Sequence, residues 1–364
     1  MKKSNAFVLE IFFIRSLACI SVVLIHALTT TLAHFYQQPD ETREFLQSVQ
    51  LLLMYGTPIF VFISEFVISY NYRERVPKGF LSKRFRFIFI PYMVMGIFYA
   101  FYTQYETGMS AIWEKAWKNI LLGEYHGYFI LIIFQFYLIH LIFQRIQHLF
   151  KPSIVLVVSF VVNAAYLAFF NFVDPPDIPM GHYIWHRLSW LPFLGWIFYF
   201  FFGYYAGRKF EGFKQWVLRK KGSVVLLWGC SGLLVLSLTR AQVLVETSSK
   251  RVDVFLFTNA MILFLFLVAF HLTKIPAWLI VISQYSFGIY LLHPFFQSIT
   301  AKMMRLGQIP ILSDNPYILA LFFLLLGLLL PIVTVYLLNR IPFGFYVAGK
   351  VGVRPAKRKQ NENP

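Results

Sequence analysis

Charge is what this chain has least of. Only 13% of its 364 residues are Asp, Glu, Lys or Arg, against roughly 25% in a soluble domain. Hydrophobic residues make up 58%, and mean hydropathy is +0.63. So little polar surface cannot cover a globule in water, which excludes an ordinary soluble enzyme. Cysteine is almost missing: Cys19 and Cys230 both fall inside apolar stretches, so no disulfide framework can be built. The sequence shows no Ser-His-Asp set, no glycine-rich nucleotide loop and no metal-ligand spacing. Acidic residues are scarce as well, 16 against 33 Lys and Arg, giving a net charge of +17. Spread over a polar surface, that surplus would suit a nucleic-acid binder; its placement excludes one.

What is present in abundance is apolar sequence. Ten stretches read as spans: Phe7–Leu28, Val49–Tyr70, Phe85–Tyr105, Gly127–Phe143, Ser153–Phe172, Leu191–Gly207, Val224–Leu238, Val254–His271, Ala277–Ile299 and Pro316–Leu338. A crossing helix takes roughly 17–25 residues, and the seventh stretch is short of that. Most Lys and Arg fall on the segments that share a side with the N-terminus. Asp40, Glu41, Glu44, Glu106, Glu114, Glu124, Asp174 and Asp177 fall on the other. By the positive-inside rule the basic side is cytoplasmic. The expected fold class is therefore all-α integral membrane, with about ten transmembrane helices in a single bundle, both termini cytoplasmic, in the cell membrane. Lys2 and Lys3 before an apolar run resemble a leader, but Arg15 and His26 within it favour a retained first span. Residues 1–348 form the expected membrane domain and 349–364 a basic, disordered cytoplasmic tail. Ser110–Leu121 spaces apolar residues as a helix lying in the outer interface. The lipid bilayer is thus one partner, and nucleic acid is not.

Ionisable side chains inside a span cost at least ~2.5–3.5 kcal/mol and so mark function by default. Arg15, His26 and Glu65 stand out, with His293 in the outer part of the ninth span. Arg15 and His26 are eleven residues apart, about three helical turns, so they share a face at ~16 Å along the axis. His293 lies at the depth of His26, and Glu65 near the depth of Arg15. Two readings of Arg15 and Glu65 stay open: a structural ion pair, or separate tasks. A neutral imidazole can take a proton from an attacking hydroxyl. An arginine can hold a phosphate or stabilise developing negative charge. Lesser candidates are Glu124, Tyr125, His126 and Tyr128 at the outer mouth of the fourth span, where aromatics could stack on a sugar. His182 and His186, with Asp174 and Asp177 nearby, lack a further ligand at defined spacing, so no metal is expected.

Four segments then resemble the membrane acyltransferase-3 family. They are Arg15 with His26 in the first span, Phe60-Val61-Phe62-Ile63-Ser64 in the second, the basic Lys83-Arg84-Phe85-Arg86 before Pro91-Tyr92, and Ser283 through Tyr290-Leu291-Leu292-His293-Pro294. They reach across nearly the whole chain. Two departures are visible: Glu65 follows Ser64 where the family has glycine, and Arg84 matches the family's basic position better than Arg86. Gly56-Thr57-Pro58, Ile90 to Gly96 and Gly195-Trp196 resemble one branch, that of the intercellular-adhesion polysaccharide, poly-N-acetylglucosamine. Its members have been described both as exporters and as O-acyltransferases. The resemblance implies acyl-CoA as donor, its phosphates held by Lys83, Arg84 and Arg86. His26, Arg15 and His293 are the expected catalytic residues, and Glu65, Glu124, Tyr125, His126 and Tyr128 the expected substrate contacts. The acyl group, acetyl or succinyl, would pass to a surface glycan in exopolysaccharide or biofilm modification, alongside polysaccharide synthase components. Glycan export is the alternative.

The charge asymmetry makes a direct prediction. Cysteines placed at Asn5 and Arg354 should both be labelled only from the cytoplasmic side. Labelling from opposite sides would overturn the map.

Overall fold

A computed structural model describes residues 9–34, 40–308 and 315–352. Asn5 and residues 353–364 of the expected tail lie outside these. Among the described residues there is no strand, and nine helical stretches are long and apolar enough to cross a membrane. The protein is an all-α integral membrane protein.

The chain opens with α1 (Leu9–His34), followed by α2 (Asp40–Leu53) and α3 (Gly56–Asn71). The second apolar stretch is therefore not one helix: it turns at Met54 and Tyr55, and Pro58, which has no N–H to give, sits in the first turn of α3. Next come the short α4 (Phe80–Arg84), a π-helical turn over Phe85–Phe89, and α5 (Ile90–Gln104). Then α6 (Met109–Leu122) buries Ile112 and Ala116 against Ala100 while Trp113, Trp117 and Leu121 stay exposed. That is the face expected for the interfacial segment.

The middle of the chain holds α7 (Phe129–Ile146), α8 (Pro152–Phe172), α9 (Gly181–Trp190) and α10 (Ile197–Arg208). The sequence there reads as a span over Leu191–Gly207. Instead, a single tight turn at Phe193–Trp196 precedes a helix of only 12 residues. In an apolar solvent each backbone group freed by such a break must find a partner inside the protein. Two side chains from neighbouring helices supply them. Gln135 donates to the Leu191 carbonyl at 3.0 Å and accepts from Phe193 N–H at 3.0 Å. Asn163, fully buried, donates to the Gly195 carbonyl at 3.0 Å and accepts from Phe198 N–H at 3.1 Å. The short α10 then lies against the backbone of α3. A Cβ on Gly203 or Gly207 would come within 2.5 Å of the Phe62 or Phe66 carbonyl oxygen, so only glycine permits this approach.

The remaining helices are α11 (Phe210–Arg219), α12 (Lys221–Arg240), α13 (Val252–His271), α14 (Ala277–Arg305), α15 (Pro316–Leu338) and α16 (Phe345–Ala348). Burial separates the bundle into layers: α13 and α1 are mostly buried, whereas α8 and α12 bury only three residues each. The exposed faces of the outer helices are rich in Val, Leu, Ile and Phe, as lipid contact requires.

Asn163→Leu should strand the Gly195 carbonyl and the Phe198 N–H, at roughly 1–3 kcal/mol for each group. The melting temperature in detergent should fall accordingly. An unchanged value would mean that the break is not held by this residue.

Candidate functional site

The site is organised around a flaw in α14. Pro294 lies inside that helix, where it cannot donate to the carbonyl one turn back and its ring obstructs the ladder. Tyr99 from α5 repairs the gap: its hydroxyl donates to the Leu291 carbonyl at 3.0 Å and accepts from Phe295 N–H at 3.1 Å. The same carbonyl accepts from His126 Nε2 at 3.1 Å, and the Tyr290 hydroxyl donates to the His126 carbonyl. The proline break thus holds His126 by its ring and by its backbone.

His293 stands immediately before the proline, fully buried. Its Nδ1 donates to the Ile289 carbonyl at 2.8 Å, since a carbonyl can only accept. The proton is then on Nδ1 in the neutral ring, and Nε2 is left buried with no partner. The His26 ring lies 5.0 Å from that of His293, and the His126 ring 5.9 Å from it on another side. Three histidines from α1, α14 and the turn before α7 therefore meet.

His26 and His126 border a cavity of about 660 Å³, with His293 behind His26. His26, His126, Tyr128 and Tyr290 line it, together with Trp185, Trp190, Asn171 and Lys250. His182 and His186 also line it. Among the described residues no group of three or more His, Cys, Asp or Glu could hold a metal ion.

Arg15 does not reach this cavity. It sits further along α1, where its electrostatic neighbours are Cys19, Tyr137 and Arg84, and its Nε is buried without a partner. The Arg84 guanidinium lies over the Phe80 ring at 5.1 Å and the Tyr137 ring at 5.5 Å. Arg15 and Arg84 thus approach one tyrosine, and no carboxylate pairs with either among the described residues.

The ion pair between Arg15 and Glu65 does not form. Glu65 Oε1 accepts from His140 Nδ1 at 2.7 Å and from the Ser69 hydroxyl at 2.6 Å, deep between α3 and α7. His140 was open to discovery by the rule that singles out Arg15, an ionisable side chain within a span. Its Nε2 is buried and unpartnered.

Other expected residues separate. Lys83 is exposed, Arg84 lies over the Phe80 and Tyr137 rings, and Arg86 is hydrogen-bonded to the Tyr346 hydroxyl. The π-helical turn between Arg84 and Pro91 disturbs the ordinary helical register there. Tyr125 is buried, its hydroxyl donating to the Tyr92 carbonyl at 2.6 Å, and it is no open platform for a sugar. Glu124 is held by Lys115 at 2.7 Å, by the Tyr183 hydroxyl at 2.7 Å and by Arg187 at 3.5 Å. That network joins α6 to α9. Of this group, Tyr128 and His126 face the cavity.

With this geometry in place, residues 8–338 match the family model described as acyltransferase domain. The chain is 35% identical over 356 residues to YfiQ of Bacillus subtilis, provisionally named a membrane-bound acyltransferase; the match covers 96% of each chain. It is 29% identical over 290 residues to a Staphylococcus aureus protein, provisionally named a poly-β-1,6-N-acetyl-D-glucosamine export protein. There the match covers 79% of this chain and 81% of the other. A similarly named protein of Staphylococcus epidermidis is 30% identical over 297 residues, 81% of each chain. No solved structure matches.

Two double-mutant cycles follow from the placement of Glu65. Glu65→Ala with His140→Ala should be non-additive in stability, by about 0.5–3 kcal/mol, as for directly bonded partners. Glu65→Ala with Arg15→Ala should add to within roughly 0.5 kcal/mol. The reverse pattern would restore the Arg15 pair.

Proposed function

The chain belongs to the acyltransferase-3 family, and from that premise we propose that it moves an acyl group from cytoplasmic acyl-CoA to a hydroxyl of a cell-surface polysaccharide. Membership and the relatives' names support a multi-pass acyltransferase of the cell membrane in general. The observation that carries the finer reading is His26. It opens on a cavity large enough for a sugar, beside a second histidine whose Nε2 has no partner.

In this reading the acceptor enters the cavity and presents one hydroxyl to His26. The imidazole takes the hydroxyl proton as the oxygen attacks the thioester carbonyl. The carbon–sulfur bond then breaks, leaving an ester on the sugar and a thiolate that is reprotonated. His293 Nε2 can carry the proton or orient His26, because its Nδ1 is committed to the Ile289 carbonyl. The donor would enter from the basic side, with Arg84 and Arg15, both near Tyr137, meeting its anionic parts. The ~16 Å between Arg15 and His26 on one helix suits an extended pantetheine arm.

Export of the polysaccharide is the second reading, favoured by the name of the Staphylococcus aureus relative. Strains carrying a deletion or His26→Ala separate the two. A general base contributes typically 10²–10⁴-fold, so His26→Ala should nearly abolish ester content at normal protein level, with polymer still reaching the outside. Polymer is assayed in both cells and supernatant. Polymer trapped within the deletion strain, with normal ester per sugar, would replace transfer by export.

A further inference from the structure

The loop between α12 and α13 places a buried cation in the cavity. Lys250 is only 9% exposed. Its Nζ lies 3.6 Å from the centre of the Trp196 ring and 5.7 Å from that of Tyr128. Its one hydrogen bond is to the Ser249 hydroxyl at 3.2 Å. An ammonium carries three donors, so two are left over. No carboxylate is within ion-pair distance among the described residues; Glu246 acts on it only from further away and is itself exposed. Burial pushes the Lys250 ammonium well below the usual lysine range, and Glu246 offsets this in part.

The loop is built to keep the lysine there. Asn171 accepts from Val252 N–H at 2.8 Å and donates to the Lys250 carbonyl at 3.2 Å. The next residue, Arg251, is 1% exposed and forms a two-point pair with Asp253, at 3.0 and 2.6 Å. It also donates to the Thr239 hydroxyl at 2.9 Å. The neighbouring cation thus has its counter-charge in full, whereas Lys250 has an aromatic face and open donors. Trp196 is fixed in turn, its Nε1 donating to the Trp190 carbonyl at 2.8 Å. A desolvated cation without a partner is costly unless something completes it.

We propose that Lys250 holds a carboxylate, or a comparable small anionic group, of the ligand that occupies this cavity, carried either by the acceptor sugar or by the transferred acyl group. The anionic group and the hydroxyl at His26 would then anchor the ligand at two points of the same cavity. This rests on the transferase reading for what the ligand is, and on Lys250 alone for its charge.

The test uses the full chain in detergent, without acyl donor, with binding followed by calorimetry. One pair of probes is a uronic-acid disaccharide and its neutral hexose counterpart; the other is monomethyl succinate and methyl butyrate. Wild type should bind the anionic member of at least one pair about tenfold or more tightly, the scale of one charge-assisted bond. Lys250→Met should erase that preference and leave neutral binding in place, while Lys250→Arg keeps it. Preference within the sugar pair assigns the charge to the acceptor, and within the ester pair to the acyl group. No preference in wild type, or a preference that survives Lys250→Met, overturns the proposal. If Lys250→Met does not fold, wild type and Lys250→Arg decide on the same terms. A chain that binds the anion but transfers nothing keeps this site and loses the transferase reading.

Discussion

In a bilayer no water waits for a freed N–H or C=O, so every interruption of a helix must be met by protein. This protein interrupts its helices at several points and answers with side chains from other helices. Tyr99 and His126 close the break at Pro294, Gln135 and Asn163 the break before α10, and Asn171 the entry to α13. Because each repairing residue sits on an element other than the one it repairs, the repairs are also cross-links. They fix α5, α7, α8 and α14 relative to one another where the cavity forms. His126 is where it is because a carbonyl on α14 lost its ordinary donor.

The buried charges divide by the same logic. Arg251 with Asp253 and Glu65 with His140 are paired at hydrogen-bond distance and bonded further to Thr239 and Ser69. The first pair closes on itself, the second leaves His140 Nε2 without a partner, and both hold the bundle in register. Arg15 and Lys250 do not close: one has a buried Nε with no acceptor, the other a ring and a single hydroxyl. Incomplete cations at two separated places, with histidines near one of them, are arrangements that packing alone does not require.

Much of the fold was legible because lipid imposes long apolar runs, and α1, α8, α13, α14 and α15 announce themselves by length. The breaks were not. Leu191–Gly207 reads as a span because its residues are apolar throughout; that the helix starts late depends on Gln135 and Asn163, far away in sequence. The histidines His26 and His293 were legible as ionisable groups at one depth. Their contact depends on how α1 meets α14, which depth alone does not give. Glu65 was visible but its partner was assigned by depth, and orientation around α3 decided for His140. Lys250 carries no signal in sequence. It lies in a polar loop among Glu246, Thr247, Ser248 and Ser249, and only the fold turns it onto Trp196.

Tyr137 has the Arg84 guanidinium over its face, and both lie within electrostatic reach of Arg15, a guanidinium of like sign. That arrangement is locally frustrated: each cation raises the cost of the other, and the ring can only soften it. An anion arriving there removes a repulsion as well as adding an attraction. By mass action, any anion that binds there stabilises the folded protein. Relief of a standing repulsion would then be part of what a bound anion supplies at that end of the bundle.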